Sequence, residues 1–207
     1  PGLDLKPPHL RQSAHYNGGW CLNPELTKEG GDVDAPTLDT YADDQICFYV
    51  SGEGYESRQI GCVTIEHDGD RASVRLAACI VACFFNKSLT LTYTVRFPNS
   101  EEPQPSPEQV VSVSVPQFPH PGIEEATNGI LDLRTFPGDA MATVPVWAYI
   151  ECAKACWMWI VGEYEDGSDY RLDILSGVPV TDDWKTQGVG AAVLRAELQK
   201  LADCSSF

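Results

Sequence analysis

The cysteines carry the most chemistry in this sequence. Eight are spread along it: Cys21, Cys47, Cys62, Cys79, Cys83, Cys152, Cys156 and Cys204. An even number over the whole length suits a disulfide framework formed in an oxidising compartment, although spacing alone does not give the pairing. Two pairs repeat a Cys-x-x-x-Cys spacing, Cys79/Cys83 and Cys152/Cys156. On a helix, residues i and i+4 share a face, so both sulfurs of such a pair would point the same way. Four gathered thiolates would hold zinc, but zinc sites ordinarily use tighter Cys-x-x-Cys knuckles or recruit histidine, and neither accompanies these pairs. Nothing marks one cysteine as electropositively activated for catalysis. All eight are therefore expected to be structural disulfide cysteines.

Carboxylates offer a second chemistry. Asp32-x-Asp34, Asp43-Asp44, Glu66/Asp68/Asp70, Glu165/Asp166/Asp169 and Asp182-Asp183 each bring acids close together. None follows the EF-hand loop, with its regular offsets and terminal Glu. Most coincide with turns or helix starts, where a solvated carboxylate is ordinary. Asp32 and Asp34 are the preferred calcium candidates, because Gly30-Gly31 would let the backbone fold around an ion. No other cofactor is expected.

Catalytic signatures are missing. The sequence has no Gly-x-Ser-x-Gly elbow, no His-Glu-x-x-His and no Walker loop. Its histidines, His9, His15, His67 and His120, fall in Pro- or Gly-rich stretches or in a turn. One segment does resemble part of an enzyme family. Lys185-Thr186-Gln187-Gly188-Val189-Gly190-Ala191-Ala192-Val193-Leu194 is similar to the acetyl-CoA pyrophosphate loop of GNAT-type N-acetyltransferases. That resemblance implies backbone N–H groups at a helix N-terminus, offered to phosphates. Lys185 stands where the family carries Arg or Gln, and little sequence follows. A glycine-containing start to a tightly packed helix is the reading adopted, and the protein is expected not to be an enzyme.

Aromatic residues suggest binding instead. On a strand, Trp157 and Trp159 share one face, near Tyr149 and Tyr164. They form either core, among Met158, Ile160 and Val161, or an exposed platform for sugar rings or for assembly. Tyr16 and Trp20, beside Asn17, make a second candidate patch. Asn86-Lys87-Ser88 is an N-glycosylation sequon.

These residues need a scaffold, and composition says what kind. The chain has 207 residues, 14 basic against 30 acidic, for a net charge of −16. Phosphate recognition needs clustered Lys and Arg, so nucleic acid is not an expected partner. At 43% hydrophobic and 10% aromatic the chain can bury a core. No apolar run is long enough for a membrane span. The start at Pro1 fits removal of a secretory signal peptide.

Residues 1–40, rich in Pro and Gly, read as an irregular arm tied down by Cys21. Residues 41–97 alternate as a β module. Its clearest strand runs from Ser88 to Phe97, with Leu89, Leu91, Tyr93, Val95 and Phe97 inward. His67-Asp68-Gly69-Asp70 and Glu165-Asp166-Gly167-Ser168-Asp169 are hairpin turn signals. Residues 98–109, with four prolines and three glutamates, read as a linker. A second β region, 110–207, follows, ending in a helix whose face is marked by Ala191, Leu194, Leu198 and Leu201. Residues 41–207 as a single domain is the alternative.

The expected fold is mainly β: a disulfide-stabilised antiparallel β-sandwich, or two small β modules, with one C-terminal α-helix. The expected function is that of a secreted, extracellular structural or interaction protein. It would be a subunit of an assembly, filament or surface layer at the cell surface, self-assembling or binding other extracellular proteins. A carbohydrate-binding module or lectin with glycan partners is the alternative, and a small secreted enzyme the second.

Overall fold

The alternating segments become strands. The computed structural model of the chain describes residues 4–36 and 39–203, and is built mainly of antiparallel sheets. It divides into two units, Pro1–Gln117 and Phe118–Phe207. Among the described residues no helix is long and apolar enough to cross a membrane.

The first unit holds β1 (His9–Leu10), β2 (Ala14–Tyr16), β3 (Gly19–Leu22), β4 (Gly31–Asp34), β5 (Gln45–Gly52) and β6 (Tyr55–Thr64). After these come β7 (Ser73–Leu76), helix α1 (Ala78–Ala82), β8 (Lys87–Arg96), β9 (Gln104–Pro105) and β10 (Gln109–Val113). One sheet runs β2-β3-β10-β8-β5-β6, with β9 also on β8, and a smaller one runs β1-β4-β7. Period-two alternation explains the core. Leu89, Leu91, Tyr93 and Val95 of β8 are buried with Ile46, Phe48 and Val50 of β5 and Val111 and Val113 of β10. Leu10, Val33 and Leu76 are buried on the smaller sheet, and Val81 and Phe84 around α1. Buried Tyr93 satisfies its hydroxyl by donating to the Lys6 carbonyl at 2.8 Å.

The second unit holds β11 (Gly122–Ile123), β12 (Ala140–Val144), β13 (Ala155–Glu163), β14 (Asp169–Pro179), α2 (Asp182–Gln187), β15 (Val189–Val193) and α3 (Arg195–Leu198). Its sheets are β11-β12-β15 and the ribbon β13-β14. Ala140, Ala142, Met158, Ile160, Tyr170, Val189, Val193 and Leu198 form its core. Tyr170 is buried against Glu197, so its phenol is pushed up to about 12, by desolvation first and then by that carboxylate. Arg195 donates to the carbonyls of Phe136 and Leu133 and so anchors the irregular segment before β12.

Three expectations about layout change. The arm over residues 1–40 is not irregular: it carries β1 to β4. Asn17-Gly18, with φ of 47° and 80°, makes the two-residue hairpin turn that joins β2 to β3. Residues 98–109 are not an interdomain linker. Gln104–Pro105 pairs with β8, Ser106 Oγ accepts from the Tyr93 N–H at 2.9 Å, and the unit boundary falls after Gln117. The C-terminal helix is present but short. Gly188, at φ 89°, ends α2, and Val189–Val193 pairs with β12 as β15. Burial of Val189 and Val193 at both ends of that strand outweighs the helical spacing of Ala191, Leu194 and Leu198, and Leu194 is exposed.

Candidate functional site

β13 and β14 are joined by the turn expected at Glu165–Asp169. Tyr164 N–H donates to the Ser168 carbonyl at 2.8 Å and Gly167 N–H to the Tyr164 carbonyl at 2.9 Å. Met158 and Ile160 point into the core of the second unit. Strand geometry then sends their neighbours the other way: Trp157, Trp159 and Val161 are 61%, 51% and 52% exposed. A strand apolar on both faces is ordinary when both faces are covered. Here one face meets solvent, and a row of large exposed apolar side chains is the informative exception.

The ladder places polar groups beside this row. Trp159 pairs with Asp173, Val161 with Arg171 and Glu163 with Asp169. Register shifts lie on both sides of Met158, between Cys156 and Met158 and between Met158 and Trp159. Such bulges re-aim side chains. Trp157 lies against Gly177 on the opposite strand: a Cβ added there would sit 3.5 Å from Cζ2 and 3.6 Å from Cε2 and Nε1 of the indole. The glycine leaves room for the ring to lie along the ribbon, and most of the indole remains open to solvent. Trp159 is fixed differently. The Arg171 guanidinium stands 5.0 Å from its ring centroid, an interaction worth about 0.5–1 kcal/mol at an exposed site. Arg171 is itself held by Asp173, whose Oδ1 accepts from Nη2 at 2.8 Å and Nε at 3.0 Å. Beside Trp159 the face thus combines an oriented indole with the Arg171 guanidinium and the Asp173 carboxylate, elements able to stack a ring and hydrogen-bond its edge.

The other candidates fare differently. Asp32 and Asp34 are not arranged around an ion. Asp32 accepts from Gln12 Nε2 and Arg75 Nη1, both at 3.0 Å, and Asp34 from Arg11 Nε and Nη2, both at 2.7 Å. Those partners hold both carboxyls below the usual carboxylate range, Gln12 then Arg75 for Asp32 and Arg11 for Asp34. Arginine occupies the place a cation would take. Among the described residues no group of three or more His, Cys, Asp or Glu side chains is placed to hold a metal.

Tyr16 and Trp20 do not form one patch. Trp20 pairs across the hairpin with His15, so it shares His15's face, and Tyr16 points to the other. The rings of His9 and His15 meet Trp20 edge-on at 5.1 Å and 5.3 Å, whereas Tyr16 is 69% exposed.

The cysteines divide. Cys47 and Cys62 are register partners on β5 and β6 and are joined in a disulfide. Cys79 and Cys152 are each disulfide-bonded as well. Cys21 and Cys83 are exposed free thiols and Cys156 a half-buried one, contrary to the expected pairing of all eight, and Cys204 lies outside the described residues. α1 does put Cys79 and Cys83 on one helical turn, but Cys83 Sγ donates to the Cys79 carbonyl at 3.3 Å instead of bonding to sulfur. Cys152 closes a 3₁₀ turn and Cys156 lies in β13, so the second pair shares no helix. Burial pushes the Cys156 thiol up. Asn86 is exposed in a left-handed turn between α1 and β8, with φ of 59°.

The segment likened to an acetyltransferase loop is built otherwise. Gly188 caps the C-terminal end of α2 and Gly190 lies in β15, so neither glycine opens a helix as the resemblance implies. They line an open cleft of about 620 Å³ together with Glu124 and Asp183, carboxylates that repel phosphate.

The residues missed by sequence reasoning are Arg171, Asp173 and Gly177. The turn at Glu165–Asp169 carried the signal for the first two, because counting back from it places Arg171 opposite Val161. The bulges beyond Trp159 hid Gly177. Compared with protein-family models and with curated proteins, the sequence matches none.

Proposed function

We propose that this protein is an extracellular recognition protein that binds carbohydrate through the outer face of β13–β14. The observation that carries the reading is Trp157 lying against Gly177 with 61% of its surface open. A flat indole stacks on the C–H face of a pyranose, while the Asp173 carboxylate and the Arg171 guanidinium at its edge suit hydroxyl groups. Size favours the same ligand. At about 250 Å² for a tryptophan, the exposed parts of Trp157, Trp159 and Val161 come to roughly 350 Å². One or two sugar rings need no more. Disulfides form and persist in oxidising compartments, which supports the extracellular setting.

Affinity electrophoresis of the full chain through gels containing neutral polysaccharides tests this. Retardation of the wild type and its loss in the Trp157→Ala/Trp159→Ala double variant are expected. Free migration of the wild type in every gel would refute the reading.

A second reading, a subunit of an extracellular assembly, is favoured by β6. This ten-residue strand is the outermost of the larger sheet and offers an edge for strand addition. Light scattering that shows concentration-dependent growth, abolished by a proline at an edge position of β6, supports that reading. A constant monomer mass removes it.

A further inference from the structure

The charges around the indoles carry the argument further. Glu163 and Asp169 pair at one end of the outer face, and Asp173 stands opposite Trp159. The cation among them, Arg171, is already engaged: its guanidinium lies over Trp159 and donates twice to Asp173 Oδ1. An acidic sugar over Trp159 meets Asp173 and a guanidinium whose charge is matched, and a chain of several rings running along the ribbon reaches Glu163 and Asp169, about 13 Å further on at roughly 3.3 Å per residue. The chain as a whole carries −16, which adds a repulsive field. Asp173 Oδ2 takes neither of the Arg171 hydrogen bonds and retains its lone pairs as an acceptor for a hydroxyl. Trp157, lying along the ribbon against Gly177, needs a ligand ring with a flat apolar face. Hexopyranoses with equatorial hydroxyls have one, because their axial C–H bonds project from the ring faces.

Resting on the carbohydrate reading above, we infer that the site selects uncharged hexopyranose chains over acidic ones, with Asp173 receiving a sugar hydroxyl and Glu163 and Asp169 excluding anionic glycans. Asp173 thereby sets specificity through two jobs: it holds Arg171 over Trp159 and it presents a free oxygen.

The test uses matched polymers, hydroxyethylcellulose against carboxymethylcellulose and dextran against dextran sulfate, in affinity gels at low and high salt. The wild type is expected to bind at least one neutral polymer at least ~10-fold more tightly than its acidic counterpart. The gap should narrow as added salt shortens the screening length to a few ångströms. In the Glu163→Gln/Asp169→Asn variant the gap should shrink several-fold while neutral binding holds. Asp173→Asn keeps the shape but loses charge and should weaken neutral binding. Asp173→Ala should weaken it further, with Arg171 released from Trp159. Equal binding of both members of a pair, or preference for the acidic one, overturns the inference and leaves the carbohydrate reading standing. Binding of neither overturns both. If, in addition, the protein self-associates in a manner lost in Trp157→Ala/Trp159→Ala, the face serves a protein partner instead.

Discussion

Replacing Gly177 separates the platform from the stability of the ribbon that carries it. Gly177 has φ of 67°, a region that costs an L-residue roughly 1–2 kcal/mol. A Cβ at this position would sit 3.5–3.6 Å from the Trp157 indole, ordinary van der Waals contact. Gly177→Ala should therefore pay the backbone strain alone, losing roughly 1–2 kcal/mol, or a few degrees of melting temperature, while the indole stays in place and binding changes little. Gly177→Leu pays the same strain and also sends its outer carbons into the space the indole occupies, so the ring must lift. If a sugar covers about half of the exposed indole, some 75 Å², the lost contact at about 25 cal/mol per Å² is near 2 kcal/mol, a 20- to 40-fold weaker Kd. Circular dichroism melts and calorimetric titration with a neutral glucan measure the two effects side by side. Gly177→Leu binding as tightly as Gly177→Ala, at equal stability, would refute the platform.

Four further outcomes follow from the structure. In a Cys204→Ser variant, the native protein should show two thiols that react quickly with a disulfide reagent, Cys21 and Cys83, and a slower one at Cys156. Finding none would contradict the free assignments. Joint replacement of Cys47 and Cys62 by alanine opens a 15-residue loop and should cost about 3 kcal/mol, read as a melting temperature lower by roughly 10 °C. Arg11 depresses the Asp34 pKa, so the pair stabilises the fold above the ordinary carboxylate pKa and its contribution is lost as pH falls through the lowered value. Arg11→Gln should accordingly lower stability near pH 7, a difference that fades in acid-unfolding curves as pH falls through the lowered Asp34 value. Expression through a eukaryotic secretory pathway should add an N-glycan at exposed Asn86, seen as a mass lost on amidase treatment and absent in Asn86→Gln.

Much of the β architecture was readable because it rests on local rules. The alternation in Ser88–Phe97 fixed β8, and the Glu165–Asp169 turn fixed the β13–β14 hairpin. Readings failed where long-range pairing decided the outcome. His67–Asp70 does turn the chain, with Asp70 N–H donating to the His67 carbonyl at 3.1 Å, but β7 beyond it pairs with β4, not with β6. Asn17-Gly18 was a hairpin signal submerged in a Gly-rich stretch. Val189–Val193 satisfied a helical spacing and a strand spacing together, and β12 chose between them by offering an edge and a core. The site was half visible. Trp157 and Trp159 stood out by type and spacing, but exposure depends on which face of the strand the second unit's core covers. The partners of Asp32 and Asp34 lie on other strands of the smaller sheet or next to them, so sequence proximity to Gly30-Gly31 gave no hint of Arg11 or Arg75.

Saturation-transfer NMR with a neutral gluco-oligosaccharide probes the stacked ring itself. Irradiating indole resonances of the wild type should transfer saturation to the sugar's axial C–H protons, most strongly on one ring face, and Trp157→Ala should abolish that transfer in a protein that still melts cooperatively. Transfer that persists undiminished in Trp157→Ala, or none in the wild type at millimolar sugar, would contradict carbohydrate recognition at this face.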